Sequence, residues 1–389
     1  MKRNLWLLAI CQGLFLTNNV TFIAINGLVG LALAPLGWMA TLPVMGYVVG
    51  GALSTGLVAR TQRLFGRKMS FQLGLVVAFA SALLCCYAAY GKNFWLLVAA
   101  TVVAGFYNAN AQLYRFAAAE LAVPEFREKA VSLVMAGGLL GAVAGPNLAA
   151  ATRSLTEVPF AGAYLALAGV ALLAMALLSF IEFPPAPEVK AGGGGRPLGE
   201  IMRQPVFIVA ASAGALGYGV MNLLMAATPI AMQICSLPFA DVALVLEWHV
   251  IGMFAPGFFT GHLIKRFGTL PIMTLGLMLN IACVAIALSG VDFTQFLIAL
   301  FLLGLGWNFI FTGSTTLALT AYRLEEKDKA QGALNFCVFG VLALTSLASG
   351  VLVTTSGWAW LNLGSLLPLA VTGCAIGWLA LSQRRAQNP

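Results

Sequence analysis

The sequence predicts an all-α membrane protein with about twelve transmembrane helices in two pseudo-symmetric halves of six. Three observations predict this class: the composition, a series of apolar runs of membrane-crossing length, and an internal repeat. Hydrophobic residues make up 60% of the 389 residues and charged residues only 9%, whereas a soluble domain carries about 25% charged residues. This composition excludes the soluble classes of protein.

The apolar runs set the number of helices, because a helix needs about 20 apolar residues to cross a bilayer. The first run follows Lys2 and Arg3, and no small-residue cleavage site closes it, so it is expected to be a retained helix rather than a signal peptide. The runs lie approximately at residues 5–28, 37–59, 69–90, 94–118, 131–151, 160–182, 205–230, 241–264, 270–289, 294–320, 331–355 and 359–382.

The basic residues predict the orientation of the helices. One side of the membrane carries most of them, and the other side carries only Lys92 and Arg153. The positive-inside rule therefore predicts that both termini lie in the cytoplasm. The net charge of +8 follows this topology, and no basic stretch is interleaved with aromatic residues, so we expect lipid and not nucleic acid as the surrounding partner. The basic residues of the predicted cytoplasmic side are Lys2, Arg3, Arg60, Arg63, Arg67, Lys68, Arg127, Lys129, Lys190, Arg196, Arg203, Lys265, Arg266, Arg323, Lys327, Lys329, Arg384 and Arg385.

A proline- and glycine-rich polar stretch divides the chain into two halves that resemble each other. The sequence predicts a six-helix bundle over 1–182, a cytoplasmic linker over 183–204 and a second six-helix bundle over 205–389. The segment RLFGRKMSFQLGL (63–75) aligns with KRFGTLPIMTLGL (265–277), and REKA (127–130) aligns with KDKA (327–330). Similar halves joined by a cytoplasmic linker are typical of parallel repeats in transporters.

At these residues the whole chain resembles the major facilitator superfamily. The family carries a pattern close to G-x-L-x-D-R-x-G-R-R between its second and third helices, and this chain has Phe65-Gly66-Arg67-Lys68 there and GHLIKRFG (261–268) in the second half. The resemblance implies a major facilitator fold and alternating access around a central cavity. No nucleophile–base set is visible, so we expect a transporter without a cofactor, not an enzyme.

Polar side chains inside the predicted helices are functional candidates because they are costly in lipid. Arg115 near the end of the fourth helix either faces a cavity or reaches the membrane interface. Glu247 in the eighth helix is expected either to carry a coupling proton or to hydrogen-bond near the interface. Asn19, Asn222 and Asn308 are expected either to line a cavity or to form hydrogen bonds between helices.

Two pairs of soft or borderline metal ligands stand four residues apart on consecutive antiparallel helices. Met221 and Met225 lie on the seventh helix, and His249 and Met253 lie on the eighth. Residues four apart share one helical face, and the topology places Met225 and His249 at one depth and Met221 and Met253 one turn deeper. Thioether and imidazole suit Cu(I). Ordinary packing of methionines is the alternative interpretation.

These four residues resemble the signature of the bacterial facilitator-type copper importers that supply cbb3-type cytochrome c oxidase biogenesis. The resemblance implies that a copper ion, expected as Cu(I), is the transported substrate and that it moves across the bacterial inner (cytoplasmic) membrane into the cytoplasm. It also implies that a monomer delivers the ion to a cytoplasmic copper chaperone. Cys235, just beyond the seventh helix, is a further candidate ligand that would capture the ion at the outer mouth; an inert loop thiol is the alternative.

Three other functions stay open from the sequence. Related facilitators import organic solutes such as riboflavin, and the aromatic and asparagine residues suit such a cargo. The segment GGLLGAVAGP (137–146) resembles a motif of facilitator antiporters, which favours a drug or metabolite exporter. A membrane sensor that binds copper without moving it is the third alternative.

Overall fold

The computed structural model describes residues 2–123, 127–183, 195–323 and 326–387, and the regular secondary structure within these ranges is all helical. A short 3-10 turn at Gly37–Met39 separates the first two α-helices. The α-helices are α1 (Lys2–Leu33), α2 (Leu42–Tyr90), α3 (Phe94–Ala111), α4 (Tyr114–Glu120), α5 (Arg127–Ala136), α6 (Gly138–Thr152), α7 (Ala161–Ser179), α8 (Leu198–Met202), α9 (Pro205–Ile234), α10 (Phe239–Phe254), α11 (Gly257–Phe267), α12 (Thr269–Ser289), α13 (Phe293–Leu319), α14 (Lys327–Thr355) and α15 (Gly357–Gln387).

Most of these helices are long and apolar enough to cross a membrane. Within the described residues ten helices meet that test, and α10 with α11, bent by 41°, makes an eleventh. The helix α2 contains two spans, because Gly66 breaks it with a φ of 75°, a left-handed conformation that glycine adopts without steric cost. Twelve spans result within the described part of the chain, which confirms the predicted all-α membrane class.

The repeat-related glycine of the second half has a similar backbone conformation. Gly268 has a φ of 91° and separates α11 from α12, as Gly66 separates the two spans of α2. Both glycines end the inward run of one span and start the next in the aligned segments RLFG and KRFG. In the predicted linker, residues 184–194 lie outside the described residues.

Close backbone crossings at glycines hold together the helices of each half. A Cβ added at Gly50 in α2 would lie 1.9 Å from the carbonyl oxygen of Val102 in α3, so that no larger residue fits. In the second half, a Cβ at Gly252 in α10 would lie 2.8 Å from the carbonyl oxygen of Phe301 in α13, and one at Gly304 would lie 2.4 Å from that of His249. These contacts fix both the separation and the rotation of the paired helices.

Hydrogen bonds between the halves lie at the end of the bundle remote from both termini, which the positive-inside rule predicts to be the outer end. Thr41 Oγ1 donates to the Ser346 carbonyl at 2.6 Å and accepts from the Gly350 amide at 3.0 Å. Asn147 in α6 donates to Glu247 in α10 at 2.7 Å. These contacts close that end above a central cavity.

Candidate functional site

A cavity of about 270 Å³ lies between the two halves. Its described wall carries one cation, Arg115, and no carboxylate. The other polar or polarisable groups are amides, thioethers and the Thr55 hydroxyl, and the remainder is aromatic or aliphatic. The amides are Gln12, Asn19, Asn108, Gln112, Asn222 and Asn335; the thioethers are Met135, Met221, Met225 and Met253; the aromatic residues are Phe15, Tyr47, Phe116, Tyr218, Phe254, Trp307, Phe311 and Phe339.

The structure brings the three predicted methionines to this one cavity. Met221 and Met225 present the face of α9 that borders it, and Met253 borders it from α10. Each is at least nine-tenths buried. The positions that the spacing predicts on one face therefore do share a wall.

His249 is not on that wall. It is fully buried on the flank of α10 that faces α13, where its Nδ1 donates to the Leu300 carbonyl at 2.7 Å. The close crossing at Gly252 and Gly304 fixes this rotation, which turns Leu246, Val250 and Met253 to the cavity instead. The Nε2 of His249 is buried without a hydrogen-bond partner in the described structure.

Glu247 and Cys235 also lie apart from the methionines. The carboxylate of Glu247 accepts the hydrogen bond from Asn147 across the halves. Cys235 is the half-buried residue that caps the end of α9. Burial raises the pKa of the Cys235 thiol, which disfavours the thiolate that binds metals. Within the described part of the chain, no three histidine, cysteine, aspartate or glutamate side chains group as a metal site.

The predicted asparagines divide between cavity and interior. Asn19 lines the cavity and donates to the Tyr47 hydroxyl at 3.4 Å. Asn222 also lines it and donates to Ser346 Oγ at 2.8 Å. Asn308 instead joins helices: its amide donates to the Met253 carbonyl at 2.7 Å, where α10 ends.

Asn308 also accepts from the Thr260 hydroxyl at 2.7 Å, so that it bridges α13 to both α10 and α11. Its contacts are those of the hydrogen bonding between helices that the sequence left as one interpretation. The bend between α10 and α11 leaves the Met253 carbonyl at a helix end, which is why an outside donor is needed there.

Arg115 faces the cavity, with its guanidinium carbon 4.9 Å from the centre of the Phe116 ring. Its Nε is buried and has no hydrogen-bond acceptor in the described structure. On the opposite wall Trp307 and Phe311 are stacked, with ring centres 5.2 Å apart and planes inclined by 11°. Tyr218 meets Trp307 edge-on at 5.1 Å. This aromatic cluster was not singled out from the sequence, although the sequence shows Trp307 and Phe311 four residues apart on the tenth span.

The comparisons with known proteins agree with this architecture. The sequence profile of the family described as "Major Facilitator Superfamily" matches residues 5–246 and 211–389. The chain is 40% identical over 367 residues to a protein named riboflavin transporter RfnT from Brucella anthropi, covering 93% of this chain and 92% of that one. It is 29% identical to the uncharacterized transporter YdeG from Bacillus subtilis, covering 95% of this chain and 90% of that one.

Solved structures with the same fold include transporters of different substrates. The nucleoside transporter NupG superposes with a TM-score of 0.75 at 12% identity, covering 96% of this chain and 98% of that chain. A structure titled as a bacterial metal transporter superposes with a TM-score of 0.67 at 16% identity, covering 96% of this chain and 97% of that chain. These identities show the fold alone.

The match to the family profile extends over nearly the whole chain, and so does the 40% identity to a named transporter. The protein is therefore a multi-pass membrane transporter and not an enzyme, as the sequence predicts. The chain belongs to the major facilitator superfamily.

Proposed function

We propose that this protein imports riboflavin, or a planar heterocycle of the same chemistry, into the cell. The relative that is 40% identical over nearly the full length carries the name riboflavin transporter. The observation in the molecule that supports this cargo is the aromatic wall made by Tyr218, Trp307 and Phe311 beside a cavity of about 270 Å³.

An aromatic wall suits a planar heterocycle because π-faces stack without needing a particular base or substituent. Stacking of one heterocycle on an aromatic side chain contributes about 1–3 kcal/mol. The amides around the cavity then supply the few polar contacts that orient such a ligand. Arg115, the cation of the described wall, suits a ligand that presents electron-rich oxygens.

Movement of the cargo follows from the two halves. In the described conformation the halves are joined at the predicted outer end by Thr41 and by the Asn147–Glu247 bond. Rocking of one half against the other would break these contacts and open the cavity outward. The aromatic cluster belongs to the second half, and Arg115 to the first, so the cargo contacts both moving bodies.

Copper is the second candidate cargo, and the shared wall of Met221, Met225 and Met253 favours it. Thioethers are soft neutral ligands that suit Cu(I). In this arrangement the ion would be held by three methionines without His249, whose imidazole faces α13. Cys235, a cytoplasmic copper chaperone, the monomeric state and the cytoplasmic termini stay predictions from the sequence.

Uptake of both cargoes into the same cells separates the two proposals. Radiolabelled riboflavin and radioactive copper are offered to bacteria that lack their own flavin uptake and express wild type, Phe311→Leu or the Met221→Leu/Met225→Leu double variant. We expect riboflavin uptake that Phe311→Leu reduces at least about fivefold, since it removes a stacking contact of about 1–3 kcal/mol. The methionine double variant conserves volume and is expected to retain uptake within about threefold.

Phe336→Leu is the matched control, because Phe336 is 80% exposed and is not among the residues that line the cavity. It should leave riboflavin uptake unchanged. Copper uptake by wild type that the methionine double variant abolishes, without any riboflavin uptake, would instead assign the copper function.

A further inference from the structure

Three polar atoms in side chains of the cavity wall have no hydrogen-bond partner within the described structure. They are the Nε of Arg115, the Oδ1 of Asn108 and the indole Nε1 of Trp307. Buried polar groups in native proteins are nearly always paired, and leaving one unpaired is costly. Three such groups around one cavity point to a ligand that supplies the missing partners.

The three groups differ in what they need. Arginine Nε and indole Nε1 carry hydrogens and only donate, whereas an amide oxygen only accepts. Together they form a donor, an acceptor and a donor. A metal cation satisfies neither of the donors, so this set does not serve the copper candidate.

The helices bring these groups from both halves. Asn108 near the end of α3 and Arg115 near the start of α4 are seven residues apart on the fourth span, and both border the cavity. Trp307 belongs to the other half, as does Tyr218, which lies within electrostatic range of Arg115.

We propose that Asn108, Arg115 and Trp307 recognise an imide edge of the cargo, in which an N–H is flanked by two carbonyls. Asn108 Oδ1 accepts from the imide N–H, and the nitrogens of Arg115 and Trp307 donate to the carbonyls. This inference rests on the proposed function, because the isoalloxazine ring of riboflavin carries such an edge at its N3 position. It also names a chemical class: heterocycles with an acceptor–donor–acceptor edge.

Burial strengthens this recognition. Each of the three atoms is shielded from solvent in the described conformation, so neighbouring side chains move aside as the cargo binds. Hydrogen bonds made in such a water-poor site are stronger than those made in water. An analogue that cannot donate at this edge leaves the amide oxygen unpaired and is rejected.

Methylation of riboflavin at N3 tests the proposal directly, because it removes the hydrogen that Asn108 would accept. Competition with radiolabelled riboflavin uptake is measured for riboflavin and for 3-methylriboflavin, in wild type, Asn108→Leu and Trp307→Phe. Wild type should prefer riboflavin at least about tenfold. Asn108→Leu should lose this preference, and Trp307→Phe, which retains an aromatic face but no N–H, should raise the KM for riboflavin about tenfold.

Asn280→Leu is the matched control, since Asn280 is buried in α12 and is not among the residues that line the cavity; it should retain the preference. Equal competition by the two flavins in wild type overturns the imide site while riboflavin transport stands. A preference that survives in folded Asn108→Leu overturns it as well. Absence of any flavin uptake by wild type is a failure of the proposed function itself. The wild-type comparison decides the proposal even where a variant does not fold.

Discussion

Thr41 of the first half and Ser346 of the second are joined by a buried hydrogen bond of 2.6 Å from hydroxyl to carbonyl. The same hydroxyl accepts from the Gly350 amide at 3.0 Å. Ser346 and Gly350 are four residues apart, which is the spacing of carbonyl and amide in one α-helical hydrogen bond. Thr41 thus bonds to both ends of one turn of α14. When the halves separate, the Ser346 carbonyl and the Gly350 amide can bond to each other within the helix.

Replacing Thr41 by valine should favour the outward-open conformation. The variant retains the shape of the side chain and removes two hydrogen bonds between the halves, each of which contributes about 0.5–1.5 kcal/mol. We expect the outward-open population to rise at least about fivefold. A cysteine placed at Leu246, in a background without native cysteines, reports this as faster labelling by a membrane-impermeant maleimide.

Thr355→Val provides the control for that experiment, because its hydroxyl donates to the Val351 carbonyl of its own helix at 2.7 Å. Labelling at position 246 should be unchanged in this variant. If Thr41→Val and Thr355→Val are labelled at the same rate as wild type, Thr41 does not hold the halves together.

His249 should be dispensable for riboflavin uptake. Leucine at this position loses the hydrogen bond to Leu300, about 1 kcal/mol, and also removes the buried unpartnered Nε2, a similar contribution of opposite sign. We expect the melting temperature to change by only a few degrees and riboflavin uptake to remain within about threefold. Loss of uptake in a folded His249→Leu variant would contradict this, and loss of copper uptake alone would implicate the imidazole in metal transport.

The ion pair between Arg67 and Glu120 should stabilise the first half without affecting cargo affinity. Arg67 follows the break at Gly66 and its Nε donates to the Glu120 carboxylate at 2.7 Å, at the end of α4. The two side chains are 18% and 35% exposed, so the pair is expected to contribute about 0.2–1 kcal/mol. Thermal unfolding of Arg67→Glu, Glu120→Arg and the double exchange gives this coupling.

The double exchange should restore the stability lost in each single variant, and the KM for riboflavin should be the same in all of them. High salt should reduce the coupling, because it screens exposed charges. A coupling free energy of zero, or a large change in KM, would contradict a role of the Arg67–Glu120 pair that is limited to stabilising the first half.

The pair between Arg196 and Glu326 predicts a pH dependence of stability. The guanidinium donates to both oxygens of Glu326 at 2.9 and 2.8 Å, and the backbone amide of Arg323 donates to it as well. These contacts hold the pKa of the Glu326 carboxyl far below its usual range, and the hydrogen bond from the Arg196 side chain contributes most. A carboxyl whose pKa is lowered by folding stabilises the protein at pH values above its pKa in the unfolded chain, which is about 4.3. This stabilisation is lost as the pH falls below that value toward the pKa of the folded state.

Glu326→Gln should therefore melt at a lower temperature than wild type at neutral pH, and the difference should shrink below about pH 4. Scanning fluorimetry of both proteins between pH 3 and pH 8 measures it. Glu157→Gln, at an exposed loop position, should show no such difference. A gap that widens on acidification would mean that Glu326 is not held as the anion.

Much of the fold follows from the sequence because the bilayer imposes it. The length of the apolar runs predicts the spans, and the aligned segments RLFG and KRFG mark the two breaks where Gly66 and Gly268 have positive φ. The spacing of Met221 and Met225 predicts that they share one face of the helix, and both residues border the cavity. The helical period and the length of the apolar runs are properties of the chain alone, so they can be read from the sequence without knowing which helices pack together.

The rotation of α10 was not readable in the same way. The spacing gives the depth of His249 and its angular position relative to Met253. It does not give the rotation of α10 about its own axis, which is fixed where Gly252 and Gly304 let two backbones meet. The imidazole therefore faces Leu300 although Met253, one turn away, reaches the cavity. The unpartnered atoms of Asn108, Arg115 and Trp307 were hidden for the same reason, since a missing partner is a property of the packed structure.

The glycine crossings at Gly50 and Gly252 lie 202 residues apart, at equivalent points of the repeat. With no side chain between the backbones, the helices that meet there have little room to slide, and each half behaves as a stiff lever. A displacement at one mouth is transmitted across the membrane, about 30 Å, with little lost to bending. Binding of the cargo at the middle of the membrane can therefore change the conformation at either end of the bundle, which alternating access requires.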